Sequence, residues 1–189
     1  VLKNSIKRKY IDLGIFIFLW AFAFILLINK DISHNFFYPE TEIFGSERFP
    51  YSDAADYDLL ANSITIGKGF SNPAFTSRPV YIGYLSILHY LNGSSYSALI
   101  NLQTLILSLS FPFLFLIGKQ LHTRFLGFTI AIVYIFLELN SIGSTPFVQV
   151  SNSKLLLTEP VTGLFVIIIT YLLIKAFNDF DNKIYMYLS

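Results

Sequence analysis

Asp53, Arg78 and Glu159 are the residues of this sequence whose types could do chemistry together. Asp53 opens the stretch S-D-A-A-D-Y-D-L-L-A-N-S-I-T-I-G-K-G-F, from Ser52 to Phe70. Arg78 stands in S-R-P-V-Y, from Ser77 to Tyr81, and Glu159 in S-K-L-L-L-T-E-P, from Ser153 to Pro160. A carboxylate can take a proton from a nucleophile or ligate a hard divalent cation. A guanidinium matches the oxygens of a phosphate. Each residue also has a plainer reading. An acid in the first turn of a helix is favoured by the helix dipole alone, an arginine beside an apolar helix can reach for lipid headgroups, and Glu before Pro is an ordinary helix start. The choice depends on the elements that position these side chains.

Those elements are membrane helices. Of 189 residues, 54% are hydrophobic and 13% charged, against roughly 25% charged in a soluble domain. The apolar residues are gathered into runs such as Leu13 to Ile28, which holds no charge. A helical crossing needs about 20 predominantly apolar residues. Four segments approach that length: 13–28, 97–117, 125–142 and 161–177. The basic N-terminus ahead of the first run resembles a secretory leader, but the run is long and Asn29 to Ile32 offers no small-residue cleavage site, so an uncleaved anchor is expected. Pro79 to Leu91 is too short to span and is expected to be a short interfacial helix, begun by Pro79 and ended by Asn92 and Gly93.

With four spans, Lys3, Lys7, Arg8, Lys9, Lys119, Arg124, Lys175 and Lys183 share one side, which the positive-inside rule makes cytoplasmic. The outer side then receives a long loop, 29–78, and a shorter one, about 143–160. The long loop is acidic, with Asp31, Glu40, Glu42, Glu47, Asp53, Asp56 and Asp58. Within it Tyr57, Leu60, Ala61 and Ile64 recur at helical spacing after Ser52, a residue suited to an N-cap. This predicts an amphipathic outer-surface helix from Asp53 to Ile66, broken by Gly67 and Gly69. The expected fold is therefore an all-α membrane protein of one transmembrane domain, 1–189, with four transmembrane helices, the surface helix and the short interfacial helix.

Net charge is +1, from 13 basic and 12 acidic residues, so no field directs the chain to nucleic acid. Cysteine is absent, which excludes disulfides and thiolate metal sites. No P-loop, dinucleotide fingerprint or HExxH motif occurs. Glu138 lies inside the third span near its outer end, where an ionisable residue is costly unless it faces protein, a water-filled cavity or the nearby interface. Asp56 and Asp58 read as a solvated face, and His89 and His122 lack partners at metal-ligand spacing.

The order of these motifs resembles the first part of the GT-C glycosyltransferases, in particular the protein O-mannosyltransferase and aminoarabinose transferase branch. In that family an acidic residue opens a surface helix in the first outer loop, with Tyr four and Ala eight residues on and glycine at the helix end. Asp53, Tyr57, Ala61 and Gly67 or Gly69 take those places. A basic residue and proline precede a short apolar helix, matched by Arg78 and Pro79, and an acid in the second outer loop opens the fourth span, matched by Glu159. The sequence departs from the pattern at Ala54, where many relatives have Glu, and at Val80, where many have a second Pro.

The resemblance implies transfer of a sugar from a polyprenyl-phosphate carrier to a glycan, lipid or protein acceptor on the outer face. Asp53 is then the base or a metal ligand and Glu159 a second carboxylate able to share a divalent cation of the Mg or Mn type. Arg78 is the phosphate partner, and Tyr57 and Tyr81 contact substrate. It further implies that the chain is the N-terminal part of a larger membrane domain, and a bacterial plasma membrane is the expected setting in preference to the endoplasmic reticulum. The competing expectation is a non-enzymatic transport or assembly subunit whose outer carboxylates bind an ion or merely solvate.

Overall fold

The computed structural model describes residues 2–32, 35–39, 49–69, 78–93, 95–144 and 150–188, with side chains from Lys9 to Asn178 within those ranges. The side chains of Lys3, Lys7, Arg8, Glu40, Glu42, Glu47 and Lys183 lie outside the described residues. Among those described the chain is helical: α1 (Leu2–Asn29), α2 (Asp53–Thr65), α3 (Pro79–Asn92), α4 (Tyr96–Leu107), α5 (Ser110–Leu121), α6 (Arg124–Ile142) and α7 (Thr158–Leu188). Four stretches are long and apolar enough to cross a membrane: Lys9–Asn29, Tyr96–Leu121, Arg124–Ile142 and Thr158–Asn178. The chain is an all-α membrane protein. The windows in α1 and α7 bury only 17% and 11% of their residues, so the rest of their apolar surface is available to lipid.

The second of these stretches is divided into α4 and α5 at Ser108 and Leu109, although Leu109 keeps helical angles (φ −63, ψ −20). Pro112 explains the division, since proline has no N–H to offer the carbonyl four residues back. Phe111 donates to the Ser108 carbonyl instead, at 3.4 Å.

The chain forms two compact units. The first comprises 1–26, 108–137 and 163–189. Its centre is Leu19, Phe115 and Ala131, fully buried, with Ile15, Leu116 and Ile132 packed around them. Phe113 lies edge-on to Phe16 and Tyr171, at centroid distances of 5.6 and 5.5 Å. Helices in lipid gain little from apolar burial against each other, so close packing and polar contacts must hold them. Gly118 and Gly127 supply the close packing: a Cβ on Gly118 would stand 2.6 Å from the Gly127 Cα, and one on Gly127 would meet the Phe115 carbonyl oxygen. Asp12 supplies the polar tie, accepting from Lys119 at 2.5 Å and Arg124 at 2.7 Å.

The second unit comprises 27–107 and 138–162. In it α2 packs on α3 through Ala54, Tyr57, Asp58 and Ala61 on one side and Tyr81, Ile82, Leu85, Leu88 and His89 on the other. Both helices fall where the hydropathy pattern and the Pro and Gly signals predict them, and Gly67, Gly69 and Gly93 have positive φ. The expected Ser52 cap is not made. Ser52 takes φ 56 and its side chain caps nothing; its carbonyl instead accepts from Ala55 and Asp56.

The segment 152–157 is irregular yet buried. Buried non-helical backbone requires internal hydrogen-bond partners, and side chains provide them. Gln103 of α4 donates to the carbonyls of Ser153 (2.9 Å) and Leu155 (2.8 Å), while the Ser153 N–H donates to Glu138 Oε1 at 2.6 Å. Glu138 therefore faces protein and fixes this loop.

Candidate functional site

The residues singled out from the sequence all belong to the second unit. Tyr57 and Asp53 lie four residues apart on α2, on neighbouring turns of one helix. Asp53 is exposed in the first turn, whereas Tyr57 is buried against α3. Arg78 immediately precedes α3, and its guanidinium carbon lies over the Tyr57 ring, 5.1 Å from the centroid. That is within the range at which a ring face attracts a cation. Tyr81, one turn into α3, meets the Tyr57 ring edge-on at 5.4 Å and stacks with Tyr84 at 6.1 Å.

Two polar atoms in this aromatic group lack a partner among the described residues, the Tyr81 and Tyr84 hydroxyls. Tyr81 is 5% exposed. Burial pushes its phenol pKa well above the usual value, and the negative charge of Glu159 and Asp58 adds to the effect. Burial alone raises that of Tyr84. Both phenols are thus held as neutral O–H donors. Glu159, exposed in the first turn of α7, is near enough for its charge to act on Tyr81.

Arg78, Tyr57 and Tyr81 therefore adjoin one another, within electrostatic reach of Glu159. Asp53 and Glu159 share no hydrogen bond and no third ligand: among the described residues, no three His, Asp or Glu side chains gather around a common point.

Two polar clusters escaped sequence reading. Asp58 is not on a solvated face: it is 2% exposed, and its oxygens meet His89 Nε2 at 2.6 Å, the Tyr96 hydroxyl at 2.5 Å and the Asn62 amide at 3.1 Å. His89, expected to have no role, is 5% exposed and ties α3 to α2 through this carboxylate. Asp56 does remain exposed. A weak signal was present, since Asp58 falls one residue beyond Tyr57 and thus borders the apolar stripe of α2. Lys154 is the second case, 7% exposed, with its amine donating to the carbonyls of Ile28 (3.0 Å) and Lys30 at the end of α1. Burial draws its pKa down, and the charge of Asp31 opposes that.

No family model, curated protein or solved structure matches this chain. The likeness to GT-C glycosyltransferases rests on the residues quoted from the sequence.

Proposed function

We propose that the protein is a membrane glycosyltransferase, acting on the outer face with a polyprenyl-phosphate sugar as donor. The observation that carries this reading is the Arg78 guanidinium held over the Tyr57 ring, 5.1 Å from its centroid, at the start of α3. A cation fixed in this way suits a phosphate monoester that gains charge as it leaves. The surrounding aromatic rings strengthen that interaction.

In the proposed reaction an acceptor hydroxyl or amine attacks C1 of the sugar. The bond between C1 and the phosphate oxygen breaks, and its electron pair stays on the phosphate. Asp53 takes the acceptor proton, Arg78 holds the phosphate on the face of Tyr57, with Tyr81 packed against that ring, and Glu159 orients sugar hydroxyls. A Mg-type cation is commonly held by one or two carboxylates and completed by substrate phosphate and water, a donor set that Asp53 and Glu159 could begin.

The test uses the full-length protein in proteoliposomes supplied with radiolabelled polyprenyl-phosphate mannose, glucose or aminoarabinose. Release of polyprenyl phosphate is expected with one of these donors, and Asp53→Asn should lower it by about 100-fold or more. Arg78→Gln should cost a similar factor. Tyr81→Phe should leave thermal stability unchanged or slightly raised, since it removes a buried hydroxyl that no described residue satisfies. Undiminished release in Asp53→Asn and Arg78→Gln would remove the proposed roles.

A further inference from the structure

The second unit contains a cavity of about 530 Å³, within the range of roughly 300–1,000 Å³ usual for small-molecule sites. None of the five residues discussed above lines it. Its polar wall is formed by Asp31, Tyr38, Ser97, Asn101 and Lys154, with Ile28 among its apolar residues. The chemistry of that wall is specific. Lys154 commits two of its three ammonium protons to the carbonyls of Ile28 and Lys30, leaving one donor. Asp31 offers only acceptors, and the Asn101 amide offers both kinds of group.

We propose that this cavity binds an uncharged sugar residue. The lysine and aspartate that line it cancel, so neither a phosphate nor an ammonium ion finds net complementary charge there. A polyol instead presents hydroxyls that each donate and accept, and its C–H faces suit Ile28, Ile32 and Ile100. The lysine is fixed by the end of α1, so it is already in place before a ligand arrives. Naming this the subsite for a glycan acceptor rests on the transferase reading; the binding of sugar does not.

The experiment is saturation-transfer NMR on the full chain in lipid nanodiscs free of sugar detergents, with methyl glucoside, methyl mannoside and methyl galactoside as probes and inorganic phosphate as competitor. At least one glycoside should give saturable enhancements that phosphate does not displace. Asn101→Leu, which extends a branched apolar side chain into the cavity, should reduce them at least fivefold. If Asn101→Leu fails to fold by circular dichroism, Asn101→Ser provides the same comparison with less added bulk, again with weakened binding expected. Asp53→Asn, in which transfer should fail, should bind as the parent does, so loss of catalysis and loss of the cavity are separable. Absence of saturable enhancement in the parent, undiminished enhancement in both Asn101 variants, or displacement by phosphate would overturn the proposal.

Discussion

Asp58 shows how much depends on a single partner. Its carboxylate accepts from side chains of α2, α3 and α4, and it is nearly inaccessible, so truncation would leave His89, Tyr96 and Asn62 without their acceptor. Asp58→Ala should therefore destabilise the protein by on the order of 3 kcal/mol, whereas Asp56→Ala on the exposed face should stay within about 0.5 kcal/mol. Thermal unfolding of the two variants in the same lipid mixture measures the contrast, and equal effects would show that the network carries no stability. Sequence reading misplaced Asp58 because hydropathy periodicity reports which face is apolar, while this carboxylate is buried by a partner 31 residues away. Lys154 was missed for a related reason: its acceptors are backbone carbonyls more than a hundred residues earlier, and backbone groups leave no mark in a sequence. Glu138 was legible as an anomaly, since an acid inside an apolar run demands a partner. Its partner, the Ser153 N–H, was not.

The helices α2 and α3 were readable almost residue by residue, because each is bounded by chemistry that acts locally. Pro79 fits the first turn of α3 and Gly93, at φ 66, ends it. Gly67 and Gly69 close α2 in the same way. Pairing between helices is a different matter, as the α5 and α6 contact illustrates. Gly118 and Gly127 bring the two backbones so close that neither position has room for a methyl group. Gly127→Ala should push α6 from the Phe115 carbonyl and cost about 1–3 kcal/mol. Gly14→Ala, where nothing lies within 4 Å, should be neutral or slightly stabilising because alanine favours the helix. Thermal denaturation of the pair tests this packing, and an unchanged midpoint for Gly127→Ala would mean that the helices do not approach as described.

At the scale of the whole molecule, composition together with the length of the uncharged apolar runs marks a membrane protein, and the four long apolar helices follow from them. The irregular segment at 152–157 falls in the loop expected at about 143–160, but its burial did not follow, because the Gln103 and Glu138 side chains that hold its backbone belong to other helices. The five residues marked from the sequence belong to α2, α3, α7 and the residue before α3, and the proposed activity requires that a lipid phosphate come to them. The decisive measurement is photoaffinity labelling with a polyprenyl phosphate carrying a diazirine beside the phosphate, in vesicles containing the full chain, with adducts mapped by mass spectrometry. Adducts are predicted at 53–57 and 78–84, displaced by unlabelled polyprenyl phosphate and lost in Arg78→Gln. Adducts confined to the exposed apolar faces of α1, α6 and α7, and unaffected by Arg78→Gln, would contradict a lipid-phosphate site and leave a membrane subunit of transport or assembly as the better description.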